Sequence, residues 1–232
     1  MNILGIETAT RTGGVAIVSE EGVIAEYTLN IEVAHAERLM STVERVLKDT
    51  GLTLSAIDGF GVSIGPGSFT GLRIGLATVK GLVFTTGKPV AAVPTLKALA
   101  WRVPFPAYPV CPLLDARKQQ VYAALYRREA DTIVEMMPET VTALADLATE
   151  ITGDVLFTGE GARLFAREIR DFFAGRAHLA PLSALVPSAA SVAEIAHRMI
   201  TEGLQTAPDD MTPKYIRRPE AEVVWEKRQR SR

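Results

Sequence analysis

Cysteine and histidine are both scarce in this 232-residue sequence. The single cysteine, Cys111, excludes an internal disulfide, and its apolar neighbours predict a buried, unreactive thiol in a reducing compartment. The three histidines, His35, His178 and His197, lie in separate segments without the spacing of a metal site. The sequence therefore indicates neither a disulfide-stabilised fold nor a metal centre.

Long apolar runs are also absent. The most apolar stretch, residues 74–84, contains Lys80 and two glycines and is shorter than the roughly 18 residues that a membrane-spanning helix requires. The start of the chain has no basic cluster and reaches Glu7 too early for a signal peptide. We therefore expect a cytoplasmic protein without a membrane span.

Neither sign of charge is in large excess. Lysine and arginine together number 25, aspartate and glutamate 27, and the formal net charge is −2. This balance excludes a strong attraction of the whole protein to a phosphate backbone. Contact with nucleic acid would have to come from a partner or from a local basic patch such as residues 227–232, for which a solvated tail is the simpler interpretation.

What the sequence does contain is a pattern that occurs twice. An apolar run at residues 3–6 ends in Glu7, and the chain turns through glycines into another apolar run. A second run at residues 110–114 ends in Asp115 and also turns back into an apolar segment. Each copy is typical of a β-hairpin with an acidic residue at the end of its first strand.

The segments after each hairpin also resemble each other. In the first half, residues 32–50 have the spacing of an amphipathic helix, and residues 90–93 read as a final strand. Between them we predict a strand at 60–64, a glycine-rich loop at 65–71 and a helix at 72–84. In the second half, the same order of strand, glycine loop and helix is predicted at 155–157, 159–161 and 162–173.

A proline-rich segment at residues 103–109 separates the two halves. We predict domains at 1–104 and 105–232, with the last segment packing back on the first domain. Alternating strands and helices indicate an α/β layered fold, and the duplication predicts two similar domains around a cleft.

Acid-bearing hairpins in two similar domains resemble the actin/Hsp70/sugar-kinase (ASKHA) superfamily. Five further segments, in order along the chain, resemble the TsaB (YeaZ) family. They are Ile6-Glu7-Thr8-Ala9-Thr10, His35-Ala36-Glu37-Arg38-Leu39, Gly65-Pro66-Gly67-Ser68-Phe69-Thr70-Gly71-Leu72-Arg73-Ile74-Gly75-Leu76-Ala77, Asp115-Ala116-Arg117-Lys118-Gln119-Gln120-Val121-Tyr122 and Pro213-Lys214-Tyr215-Ile216-Arg217-Arg218.

This resemblance implies a role in forming N6-threonylcarbamoyladenosine in tRNAs that read codons beginning with A. It implies TsaD as the catalytic paralogue, TsaE as an associated ATPase, and contact with tRNA through the complex. ATP and a metal are then expected to serve the complex, the metal in the paralogous subunit. Alone, the chain is expected to form a homodimer.

The residues favour a non-catalytic subunit. Two metal-binding histidines four residues apart on one helix project from the same face, and the catalytic paralogue resembles this pattern. Here His35 is followed four residues later by Leu39, so the pair is incomplete.

Two alternative functions are weaker. An ATP-binding, kinase-like enzyme would use the hairpin acids and the glycine loop, which makes Glu7, Thr8, Gly65, Gly67 and Asp115 weak candidates for nucleotide contact. However, the loop contains no lysine, and close packing explains its glycines more simply. A glycoprotease-like peptidase is the least favoured alternative, because Ser68 lacks a nucleophile-elbow motif.

We predict a partner surface on the helices at 34–48 and 72–84, where small residues would allow a close approach and a methionine would adapt to a partner. The candidate residues are His35, Glu37, Leu39, Met40, Val43, Gly71 and Gly75.

Overall fold

The computed structural model describes residues 1–30 and 35–217, without the side chains of residues 35–37. The predicted interface side chains of His35 and Glu37 and the basic tail at 227–232 therefore lie outside the described residues. None of the helices in the described ranges is long and apolar enough to cross a membrane.

The first half contains a five-stranded sheet in the order β3-β2-β1-β4-β5. Strands β1, β2 and β3 form an antiparallel meander, while β4 and β5 run parallel to β1. Two helices cover one face of this sheet. The elements are β1 (Ile3–Glu7), β2 (Thr12–Ser19), β3 (Gly22–Asn30), α1 (His35–Thr50), β4 (Gly59–Gly65), α2 (Phe69–Thr86) and β5 (Val90–Pro94).

The second half repeats this topology. Its sheet has the order β10-β9-β6-β7-β8, again with an antiparallel meander followed by two strands parallel to the first. The elements are β6 (Val110–Asp115), β7 (Val121–Glu129), β8 (Thr132–Thr142), α4 (Leu144–Glu150), β9 (Val155–Thr158), α5 (Glu160–Leu164), α6 (Ala166–Phe173) and β10 (Ala177–Leu179). The predicted duplication of an α/β fold is confirmed.

The helix after the last strand of each half contacts the other half. Helix α3 (Thr95–Trp101) packs on β6, β7 and β8, and its Leu96 and Leu99 are buried in the second core. Helix α7 (Ala189–Thr201) packs across β1, β2 and β4 of the first sheet. The two halves are thus joined by an exchange of helices.

Small residues allow α7 to approach the first sheet closely. A Cβ atom on Gly5 would lie 2.4 Å from the carbonyl oxygen of Ala189, and one on Gly61 would lie 2.6 Å from Cβ of Ala196. Glu26 of β3 fixes the beginning of the helix, because its carboxylate accepts hydrogen bonds from the Ser188 hydroxyl (2.7 Å) and the Ala190 N–H (3.1 Å). The first sheet is therefore covered on both faces, by α1 and α2 on one side and by α7 on the other.

Candidate functional site

The first acidic turn begins at Glu7, the last residue of β1. Its side chain is only 1% exposed. Oε1 accepts a hydrogen bond from the Ala9 N–H at 2.5 Å, while Oε2 is buried without a hydrogen-bond partner among the described residues. Burial raises the pKa of Glu7 to about 7, although the hydrogen bond accepted from the Ala9 N–H and the nearby Ser63 hydroxyl oppose this shift. This carboxyl group is therefore poised to change its protonation state near neutral pH.

The glycine-rich loop after β4 closes on this turn. Gly65 has a φ of +116°, which favours glycine. A Cβ on Gly67 would lie 2.2 Å from the Ala9 carbonyl oxygen, which also accepts a hydrogen bond from the Ser68 N–H at 2.5 Å. At least one backbone N–H group of the loop therefore donates its hydrogen bond to the protein's own backbone.

The first turns of α2 are packed against the same site. The Ser68 hydroxyl accepts a hydrogen bond from the Gly71 N–H at 3.2 Å, which makes Ser68 the N-cap of the helix. A Cβ on Gly75 would lie 2.3 Å from Oγ1 of Thr8. The absence of a Cβ at Gly75 therefore makes room for Thr8, a side chain of the same domain.

The second acidic turn has matching geometry. Oδ1 of Asp115 accepts a hydrogen bond from the Arg117 N–H at 2.7 Å, as Glu7 does from the residue two positions later. Asp115 is more accessible than Glu7. The turn continues through three consecutive residues with positive φ, Arg117, Lys118 and Gln119.

A second glycine pair also packs against its hairpin strand. Cβ atoms on Gly159 and Gly161 would lie 2.3 Å and 2.9 Å from the Leu113 carbonyl oxygen. Between these glycines, burial and the nearby Asp115 raise the pKa of Glu160, while Arg117 opposes the shift. The packing of a glycine loop on an acid-bearing hairpin thus occurs in both halves.

The sequence candidates for nucleotide contact fall into two groups. Glu7, Thr8, Gly65 and Gly67 lie together at the first turn, and Asp115 lies at the corresponding turn of the other half. Sequence reasoning missed Ser63, which is fully buried and accepts a hydrogen bond from the Thr8 N–H at 3.4 Å. A serine in a buried strand gave no signal of this contact before the pairing of β1 with β4 was known.

Most residues of the predicted partner surface whose side chains are described are buried. Leu39 and Val43 are 5% and 2% exposed and belong to the core between α1, α2 and the first sheet, whereas Met40 is 46% exposed. Gly71 and Gly75 are buried as well. Of the interface candidates whose side chains are described, Met40 is therefore the one that remains accessible.

Metal ligands do not cluster in the described part of the chain. Across residues 1–30 and 35–217, no group of three or more histidine, cysteine or acidic side chains could hold a metal ion. Cys111 is fully buried, and burial raises the pKa of its thiol.

Comparisons with known proteins agree with this architecture. The family model described as TsaD, tRNA N6-adenosine threonylcarbamoyltransferase, matches residues 22–225. The tRNA threonylcarbamoyladenosine biosynthesis protein TsaB of Bacillus subtilis is 30% identical over 228 residues, which cover 97% of this chain and 98% of the relative.

Solved structures show the same relationship. YeaZ from Pseudomonas aeruginosa superposes with a TM-score of 0.79 at 28% identity, covering 92% of this chain and 100% of that one. An ROK hexokinase from Thermus thermophilus, at 12% identity and a TM-score of 0.51, covers 88% of this chain and 100% of its own, and shares the fold alone. The fold is thus that of the actin/Hsp70/sugar-kinase class, and the chain belongs to the TsaB (YeaZ) family of tRNA threonylcarbamoyladenosine biosynthesis proteins.

Proposed function

We propose that this chain is a non-catalytic, cytoplasmic partner of a TsaD-like paralogue in forming N6-threonylcarbamoyladenosine in tRNA. The observation that carries the proposal is the closed first turn. Ala9, Gly67 and Ser68 contact each other directly. A phosphate bound at such a loop accepts hydrogen bonds from its backbone N–H groups. Here the Ser68 N–H donates to the Ala9 carbonyl oxygen instead.

The position of Leu39 supports the same function. It stands four residues after His35, where the catalytic relatives are expected to carry a second metal ligand, and its side chain is packed in the core. A buried leucine contributes to the stability of α1 instead of to metal binding. The metal and ATP used by the complex are accordingly assigned to the partner subunits, with the TsaE-like ATPase and tRNA joining through the complex.

The partner surface that remains after folding lies on the outer faces of α1 and α2. Met40 is exposed on α1, and Ala77 and Gly81 are exposed four residues apart on α2. Phe84, one turn further, is 93% exposed. Small residues beside exposed apolar ones suit the close packing of a second helix pair, and the paralogue and a second copy of this chain are expected to compete for it.

The partner surface is tested by Met40→Glu combined with Ala77→Glu. Neither side chain is buried, so the variant should keep the wild-type melting temperature while losing most of its binding to the paralogue and its support of tRNA modification. Phe172→Glu on α6 is the matched control, because Phe172 is also a half-exposed apolar residue of a helix (47% exposed). If the folded double variant still binds the paralogue and supports modification at the wild-type rate, the surface is wrong.

The non-catalytic role is tested by reconstituting tRNA modification with purified subunits. The chain alone should form no threonylcarbamoyladenosine, and the paralogue should require the chain for its full rate. Product formed by the chain without the paralogue would contradict the proposal. Calorimetric titration with ATP separates it from the kinase-like alternative, which predicts nucleotide binding by the isolated chain.

A further inference from the structure

The segment after α7 returns to the first half. Thr206 pairs with the edge strand β5, because its N–H donates to the Val90 carbonyl oxygen (2.7 Å) and its hydroxyl accepts from the Ala92 N–H (3.0 Å). Met211 is then buried in the core on the α1 and α2 side of the sheet. The chain has therefore moved from the face covered by α7 to the opposite face.

Residues 214 and 215 continue along the first half at the end of β4. The Lys214 N–H donates to the Ile64 carbonyl oxygen at 2.7 Å. The ring of Tyr215 stacks on Phe69 with 4.9 Å between centroids, and its hydroxyl accepts a hydrogen bond from Nε of Arg73 at 3.1 Å. These contacts fix the backbone beside the glycine-rich loop.

The same short segment also reaches the second half. Nζ of Lys214 forms an ion pair with Oε2 of Glu139 on β8 at 2.6 Å, and the Glu139 side chain is 1% exposed. The Arg217 guanidinium donates to the Ala116 carbonyl oxygen and to the side-chain oxygen of Gln120. Lys214 thus contacts one half through its backbone and the other through its ammonium group.

The contacts of Arg217 matter because of the turn they support. Arg217 binds both ends of the turn that follows Asp115, in which three residues adopt left-handed conformations. Each such residue costs of order 1–3 kcal/mol and persists only where surrounding contacts hold it. The strained acidic turn of the second half is therefore held by a segment anchored in the first half.

We propose that residues 211–217 act as a strap that bridges the two halves and holds the two acid-bearing turns at a fixed separation. Helix α7, which packs on the other half, joins the halves on one face of the first sheet, and the strap joins them from the opposite face. A rotation of one half relative to the other about α3 and α7 must break either the strap's contacts to Ile64 and Phe69 or its contacts to Glu139 and Ala116. Releasing the strap therefore lets the two turns move apart.

Distance measurements between spin labels test the strap. Thr70→Cys and Arg163→Cys place one label on each half at exposed positions near the two turns, while the buried Cys111 stays unlabelled. The strap is released by Arg217→Gln together with Lys214→Met and Glu139→Gln, a combination that leaves no buried charge unpaired. We expect a second, longer-distance population that the wild-type strap lacks.

Arg176→Gln is the matched control, because Arg176 also donates to backbone carbonyls, those of Ile151 and Gly153, but within one half. The control should keep the wild-type distance distribution. An unchanged distribution in the folded strap variant overturns the proposal, and so does an equal change in the control.

A second measurement applies if the triple variant does not fold. Arg217→Gln alone removes the two hydrogen bonds of the guanidinium and should increase amide exchange in residues 116–120 at least about tenfold, the effect of losing one hydrogen bond to a charged group. Exchange in the core strand β6 should not change. Unchanged exchange in residues 116–120 contradicts the strap, and so does an equal increase in β6, which would show general loosening.

Discussion

At the residue scale, the buried acid Glu7 makes stability depend on pH. Its pKa is about 7 in the folded protein, against an ordinary value of 4.5. The folded state therefore binds a proton that the unfolded state has lost between these values, and stability falls as pH rises through this window. A shift of this size corresponds to roughly 3 kcal/mol.

Glu7→Gln should remove this dependence. As pH rises from 4.5 to 8, the unfolding free energy of the variant should increase by about 3 kcal/mol relative to that of wild type. Urea denaturation across this pH range measures the difference. Glu44→Gln on α1, where the side chain is exposed, is the control. Parallel stability curves for wild type and Glu7→Gln would show that the carboxyl group is ionised throughout.

Residue types predicted the acids of the two turns but not their surroundings. Sequence spacing placed Glu7 and Asp115 at the ends of matching strands, as the structure confirms. The different burial of the two acids follows from which loops pack on them, and no residue of the hairpins specifies that packing. The inward orientation of Leu39 and Val43 could be read as an apolar stripe, but a stripe alone does not say whether it covers a core or a partner.

At the element scale, two of the three glycines of α2, Gly75 and Gly81, have opposite surroundings. A Cβ on Gly75 would meet Thr8, whereas one on Gly81 would meet nothing within 4 Å. Gly75→Ala should destabilise the protein by about 1–3 kcal/mol through overpacking, and Gly81→Ala should stabilise it by about 0.5–1 kcal/mol through helix propensity. Chemical denaturation of both variants measures the two signs, and a common sign would contradict the packing of α2 on the first turn.

Elements with a simple period were predicted well, and the others were not. Strand β4 and helix α2 match the predictions to within three residues at each end. The predicted helix at 162–173 is interrupted at Phe165, so that α5 and α6 are separate. The sequence did not predict helix α7, because its own small apolar residues lie on several of its faces and form no single stripe. Such a distribution is expected of a helix packed between other elements.

At the scale of the whole molecule, the exchange of α3 and α7 predicts a single unfolding transition. Neither sheet keeps its full covering when the other half unfolds. Calorimetric and van't Hoff enthalpies should therefore agree.

A fluorescence probe checks the same point. The Trp101 indole N–H on α3 donates to Glu194 of α7 at 2.5 Å, so Trp101 reports on the crossing. With Trp225→Phe, Trp101 is the remaining tryptophan, and its fluorescence transition should coincide with the loss of helical circular dichroism. Separate transitions would show that the halves unfold independently and that the boundary predicted at residue 104 divides two autonomous domains.

The crossed helices also bear on how the duplicated chain could have arisen. A half-length ancestor ending in the equivalent of α7 could cover its sheet only by receiving that helix from a second molecule. Such an ancestor would have been a swapped homodimer, and fusion of two copies would convert an encounter between molecules into one within a chain. Fragments 1–104 and 105–232 should accordingly aggregate when refolded apart and recover native circular dichroism when refolded together.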